Sequence, residues 1–138
     1  MREFKLKILT PNGEGFSGEV KSLNLRTTDG EVGILAGHTD YLAGVSPCVM
    51  KMIDPNEKTR YAFCGGGFFS VVSGEAKAVV DEFVLADELD EEAILAECAE
   101  LSAKLSEAKG AQNQKFLKLS LARAEAKRRA IDARKDDR

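Results

Sequence analysis

Through the first 85 residues apolar side chains recur at every second position, and from about residue 94 onward they recur at every third or fourth. A period of 2 is the mark of strands and a period near 3.6 the mark of helices, so the chain divides into a β part and a helical part. The change of period falls within Val84 to Ala93, read VLADELDEEA, where Asp87 and Asp90 are both available as helix N-caps. In the first part Phe4, Leu6 and Ile8 alternate with Lys5 and Lys7, and Leu23 and Leu25 alternate with Asn24 and Arg26. Turn chemistry separates the alternating runs: Thr10-Pro11-Asn12-Gly13, Asp29-Gly30, Asp54-Pro55-Asn56-Glu57 and Gly74-Glu75. Gly37 to Gly44, bracketed by glycine, is expected as a loop, and Ala76 to Val84 as the last strand. Gly65-Gly66-Gly67 interrupts a β run, which marks a bulge, a corner or a close backbone approach. Short strands with turns this frequent predict an antiparallel sandwich or flattened barrel.

The helical part predicts a hairpin. Ile94, Cys98, Leu101, Leu105 and Ala108 are spaced 4, 3, 4 and 3, a heptad seam, and Gly110 stands where a helix would end. A second helix starts near Gln112 with the stripe Leu117, Leu121, Ala124 and Ile131, and Arg128 stands where that seam would continue. At about 20 residues each, the helices are ~30 Å long. A single thin seam buries little, so the hairpin is expected to be marginal alone and to dock on the sandwich or on a partner. The expected fold is therefore α+β in two parts: an N-terminal antiparallel β-sandwich over 1–86 and a C-terminal two-helix antiparallel hairpin over 87–138.

Charge sharpens this division. The chain of 138 residues has a net charge of −3, which does not mark a nucleic-acid binder. Residues 1–85 carry 9 basic and 11 acidic groups, residues 86–109 carry 2 and 8, and residues 110–138 carry 9 and 4. Adjacent helices of opposite sign suit each other as a pair. Three cysteines, widely spaced and without a CxxC, read as reduced thiols. No apolar run approaches the 20 or so residues of a membrane span, and the strand-like start MREFKLKIL does not read as a signal or transit peptide.

Candidate chemistry is sparse. His38 is the only histidine, and no ligand or nucleophile stands near it in sequence, so it reads as a structural loop residue. The triple glycine lacks the GxxxxGK[ST] or GxGxxG context of a phosphate loop. The acids Asp87, Glu88, Asp90, Glu91 and Glu92 suit the start of a helix and its dipole without a metal. The basic set Arg123, Lys127, Arg128, Arg129, Arg134 and Lys135 has no interleaved aromatics, and an acidic protein surface is the sharper alternative to a solvated face. No catalytic constellation, metal site or cofactor site emerges.

The segments KLKILTPNGEGFSGEVKSL and DGEVGILAGHTDYLAGVSP resemble the epsilon subunit of the F-type ATP synthase. Phe16-Ser17-Gly18-Glu19-Val20 matches the family's F-S-G-x-V, and Asp29-Gly30-Glu31-Val32-Gly33 matches its acidic-Gly-x-x-G. The family's P-G-H-x-P-L-L reads here Ala36-Gly37-His38-Thr39-Asp40-Tyr41-Leu42, without either proline, and its S-G-G-F appears as Cys64-Gly65-Gly66-Gly67-Phe68. The resemblance implies a non-catalytic rotor subunit that couples proton flow to ATP synthesis. Its sandwich would bind the gamma subunit and the c-subunit ring through Glu31, Val32, Gly33, Gly37, His38, Tyr41, Gly66 and Phe68. Its hairpin would extend into the catalytic head of alpha and beta subunits, where the basic helix with Arg123, Lys127, Arg128 and Arg129 blocks ATP hydrolysis. The family's [IL]-D-x-x-R-A nucleotide motif is incomplete: Leu89, Asp90 and Arg123 remain, Ala93 replaces the arginine, and Lys127 stands at the next arginine position. Loss of that planar multi-donor group implies weak or absent ATP binding and no cofactor. The implied location is the cytoplasmic face of the bacterial plasma (inner) membrane, held through protein contacts. The competing reading is a free cytosolic β-sandwich adaptor whose hairpin binds an unrelated protein.

Overall fold

A computed structural model describes residues 2–136. Ten strands precede two helices: β1 (Phe4–Thr10), β2 (Gly13–Val20), β3 (Ser22–Thr27), β4 (Gly30–Leu35), β5 (Tyr41–Val45), β6 (Cys48–Ile53), β7 (Thr59–Cys64), β8 (Gly67–Val72), β9 (Glu75–Val80), β10 (Phe83–Leu85), α1 (Glu91–Glu107) and α2 (Ala111–Asp136), with a single 3-10 turn at Ala86–Glu88. The strands follow one another in the order β10-β7-β6-β3-β5-β8-β9-β1-β2, with β4 paired to β3 off that path. β3 and β5 share only the rung Thr27↔Val45, and there the sheet folds into two layers. Every pairing is antiparallel except β1 with β9, where Leu6↔Ala76 and Ile8↔Ala78 run parallel.

The alternation seen in the sequence becomes the core. Phe4, Leu6 and Ile8 from β1, Leu23 and Leu25 from β3, Met50 and Met52 from β6, and Phe69 and Val71 from β8 are buried between the layers. Successive side chains of a strand point to opposite faces, so one hydrophobic set per strand suffices. The turns behave as their residues require. Val72 pairs with Glu75 across Ser73-Gly74, whose φ angles of 51° and 81° are those of a two-residue hairpin turn.

Two stretches differ from their expected form. Residues 41–45 are a strand, β5, because β8 supplies a full antiparallel partner from Tyr41↔Val71 to Val45↔Gly67. That pairing overrides the low strand propensity of Gly44. The last strand is two strands, β9 and β10, broken at Asp81-Glu82. Gly65-Gly66 lies opposite this break: Gly67 pairs with Val80 on one side and Cys64 with Phe83 on the other. The Gly65 N–H donates to the Glu82 carbonyl at 2.8 Å, and the Asp81 N–H donates to the Gly66 carbonyl at 3.0 Å. β7-β8 and β9-β10 are thus one long hairpin folded across both layers, and the glycines form its corner.

Asp90 is the N-cap of α1, its side chain accepting the Ala93 N–H at 3.3 Å. Gly110, with φ of +94°, reverses the chain into α2. Ile94, Cys98, Ala124 and Ile131 close the seam between the helices, with Leu89, Leu101 and Leu121 half-buried around it. α2 has a second buried face that the heptad reading lacks: Ala126 and Ala130 are fully covered, and the helix packs on β7 and β6. The hairpin is docked through α2, not α1.

Candidate interaction surfaces and the helix clasp

The outer face of β5, β8 and β9 carries apolar side chains where alternation calls for polar ones. Leu42 is 74% exposed, Phe68 65%, Val72 59% and Val79 51%. Phe68 is registered between Val79 on β9 and Gly44 on β5, while its neighbour Phe69 points inward and is fully buried. A cluster of exposed apolar side chains on one sheet face is the kind of surface that a binding partner covers.

The expected contact residues occupy several neighbouring positions and do not form one cluster. Glu31, Val32 and Gly33 lie in β4 opposite Arg26, Leu25 and Asn24, with Val32 packed on the main core. Gly37 turns the chain with φ of +82°. The His38 Nδ1–H donates to the Thr39 carbonyl at 2.7 Å, and the ring meets Tyr41 edge-on at 5.9 Å. Tyr41 in turn tilts against Phe69 at 6.4 Å. His38 is thereby held as a loop residue next to the core. Gly66 serves the corner, and Phe68 alone of this set belongs to the apolar patch.

The strongest electrostatic site is where α2 crosses the corner. Arg123 reaches Asp81 at 3.1 Å and Glu82 at 2.7 Å, and Lys127 reaches Glu82 at 3.1 Å. Both cations also lie over the buried Phe63 ring, at 5.4 and 5.2 Å from its centre, where the face of the ring attracts positive charge. Asp81 and Glu82 reach the surface because the folded hairpin breaks there, and Phe63 pairs with Val49 and Val84 beneath the helix. Burial pushes the Glu82 carboxyl up, but hydrogen bonds and charge from Lys127 and Arg123 outweigh it and hold the group below the ordinary value of 4.5. A depressed carboxylate stabilises the docked state fully above its free value, and that contribution is lost as pH falls below 4.5 through the depressed value. The hairpin is therefore expected to loosen first on acidification in that range. Following α2 amide exchange against pH in the native chain and in Glu82→Gln checks this, since the variant should lack most of the acid-dependent step.

Of the four expected regulatory cations, Arg123 and Lys127 engage the chain's own sandwich, while Arg128 and Arg129 are exposed. The opposite charges of the two helices meet less than their balance suggests. Among the described residues Lys135–Glu91 is the one ion pair linking α1 to α2. The remnants of the nucleotide motif do not converge. Leu89 packs beside the helix seam, Asp90 caps α1, and Arg123 lies in the clasp. Lys135 fixes the start of α1 beside the end of α2, and Arg123 is twelve residues earlier, about 18 Å along the helix. Sequence reasoning passed over Asp81, Glu82 and Phe63. Their signal is the charged pair that interrupts AVVDEFVL, one strand-pair away from the glycines.

A two-layer β-sandwich with a helical hairpin clasped to one layer defines the class of fold. The family profile for "ATP synthase, Delta/Epsilon chain, beta-sandwich domain" matches residues 3–86. The chain is 35% identical over 91 residues to the ATP synthase epsilon chain of Clostridium perfringens (strain SM101 / Type A), covering 66% of this chain and 68% of that one. The epsilon chain of strain 13 of the same species matches to the same extent. Among solved structures, a chain of the Euglena gracilis mitochondrial ATP synthase (OSCP/F1/c-ring) superposes with a TM-score of 0.80 at 22% identity, over 90% of this chain and 78% of that one. A chain of the Tetrahymena thermophila mitochondrial ATP synthase central stalk/c-ring superposes with a TM-score of 0.60 at 13% identity, over 94% and 97%. The chain belongs to the ATP synthase delta/epsilon family, with the epsilon chains as its sequence relatives. Among the described residues no helix is long and apolar enough to cross a membrane.

Proposed function

We propose that this chain is the central-stalk rotor subunit of a proton-translocating F-type ATP synthase, and that its hairpin is a releasable brake on ATP hydrolysis. Family membership supports the rotor role. The single observation that carries the brake is the clasp: Arg123 and Lys127, the cations that an acidic surface of the catalytic head would attract, are neutralised by Asp81 and Glu82 when α2 is docked. Docking on the sandwich and engagement of the head therefore compete for the same side chains. A ligand or partner shifts such an equilibrium only by its differential affinity for the two states, and here the shared cations supply it.

In this reading residues 1–86 form the rotor-binding unit and residues 87–138 the regulatory unit. The apolar face of Leu42, Phe68, Val72 and Val79, together with the separate positions Glu31, Val32, Gly33, Gly37, His38, Tyr41 and Gly66, meets the gamma subunit and the c ring. The chain acts without chemistry of its own, at the cytoplasmic face of a bacterial inner membrane, where it is held through protein partners. Co-purification of gamma, beta and the c ring from membranes separates this function from that of a free adaptor, which would bring soluble partners alone.

The test of the brake is a chain ending at residue 86, reconstituted with the rest of the complex. It is expected to couple proton flow as the full chain does while hydrolysis rises several-fold. Inhibition as strong as that of the intact chain would remove the hairpin from the mechanism.

A further inference from the structure

Two of the three cysteines meet across the strands that carry α2. Cys48 opens β6 and Cys64 ends β7, and the two are direct partners in the antiparallel ladder. Directly opposed residues project to the same face, and their Cα separation of about 4.5–5.5 Å lies inside the range a disulfide spans. Both are buried, at 4% and 0% exposure, and both are free thiols. The Cys64 thiol donates to the Gly65 carbonyl at 3.5 Å; its proximity to Cys48 lowers the Cys48 pKa, while the same neighbour, together with burial, raises that of Cys64. The pair thus has a built-in asymmetry of attacking and resolving sulfur.

The pair is also the last rung of its ladder. Pro47, which has no N–H to donate, precedes Cys48, and Gly65 follows Cys64. A strand end opens at lower free energy than a strand centre, so opening at the Pro47–Cys48 start of β6 admits a small oxidant that the closed core excludes, while Cys64 stays held by its pairing with Phe83.

We propose that Cys48 and Cys64 are a modification site at which hydrogen peroxide forms a cross-strand disulfide between β6 and β7. The Cys48 thiolate attacks one peroxide oxygen, the O–O bond breaks, and the other oxygen leaves as hydroxide and takes a proton to become water. Cys48 is then a sulfenic acid. The Cys64 sulfur attacks the Cys48 Sγ, the S–O bond breaks, and the departing hydroxide takes the Cys64 proton as a second water. Two thiols have lost two electrons and two protons, and the O–O bond of one hydrogen peroxide has been reduced to two waters. The product ties together the two strands on which α2 rests, beside the corner that presents Asp81 and Glu82.

The test uses the full chain, prepared reduced and exposed to hydrogen peroxide near neutral pH. It is then alkylated under denaturing conditions, digested with trypsin and weighed. The expected product is the peptide of residues 27–51 joined to that of residues 61–77, two hydrogens lighter than their sum. One alkylatable thiol, Cys98 on α1, should remain in place of three. In a Cys98→Ser chain none should remain, and in Cys48→Ser the joined peptide should be absent. Three alkylatable thiols after exposure would overturn the proposal. So would a Cys48 oxidised beyond sulfenic acid beside an intact Cys64, or linkage through Cys98 alone.

Discussion

Glu82→Lys is expected to free α2 from the sandwich while leaving the sandwich folded. The substitution removes the carboxylate that both Arg123 and Lys127 hold, and sets a third cation beside them. Glu82 is a third exposed, so water screens these charges, and each lost pair is worth no more than about 1 kcal/mol. Repulsion at the same site adds a similar amount, for a total of about 2–3 kcal/mol against docking. That corresponds to a roughly 30- to 150-fold fall in the ratio of docked to released hairpin. Amide exchange should accelerate across residues 111–136 and stay slow in β1, β3, β6 and β8. Unchanged protection of α2 would mean that Ala126, Ala130 and the helix seam hold it without the clasp. Adding Lys127→Glu should restore part of the protection, since it re-forms one pair with the charges exchanged. In the reconstituted complex Glu82→Lys is expected to inhibit hydrolysis more strongly than the native chain, because it weakens docking and leaves Arg123 and Lys127 for the head. Arg123→Gln should not do so, because it weakens both states.

Gly67→Ala is expected to be the most damaging single methyl group in the chain. A Cβ at Gly67 would lie 2.0 Å from the Val79 carbonyl oxygen and 2.8 Å from the Val80 Cα, both backbone atoms that no rotamer change moves. The corner has to open, which disrupts the β8–β9 ladder and the break that exposes Asp81 and Glu82. A cost of about 3 kcal/mol is expected, at the upper end of overpacking effects. For a chain of this size that lowers Tm by roughly 10 °C. Gly18→Ala on the edge strand β2 is the control, since its Cβ would meet the Phe16 ring at ordinary contact distances of 3.6 and 3.7 Å. Thermal unfolding of the two variants beside the native chain decides the matter. Equal Tm values for Gly67→Ala and Gly18→Ala would show that the corner is more pliant than its packing indicates.

Most of the fold was legible because local chemistry and tertiary packing agree. Phe4, Leu6 and Ile8 alternate in the sequence and are buried together, Asp90 caps the helix it precedes, and Gly110 turns the hairpin. The misses occur where long-range partners decide. Residues 41–45 are a strand only because β8 lies beside them, and Asp81-Glu82 breaks a strand only because Gly65-Gly66 folds opposite. α2 hides its second face behind Ala126 and Ala130, residues too small to register in an apolar period yet suited to close approach of a helix to a sheet. Ala93 leaves the nucleotide motif incomplete in the sequence. Its surviving members are spread along the docked hairpin, with Arg123 held in the clasp.

The sequence by itself determined the division into a sandwich and a helical hairpin, the turns, the core-facing positions and the family resemblance, all of which depend on neighbours within a few residues. Only the tertiary structure decided which helix docks, where it docks and what holds it. Arg123 and Lys127 find Asp81 and Glu82 some forty residues away, and Cys48 finds Cys64, through a hairpin folded at two glycines. No periodicity within a segment encodes such a meeting, because it depends on the geometry of the corner that brings the segments together.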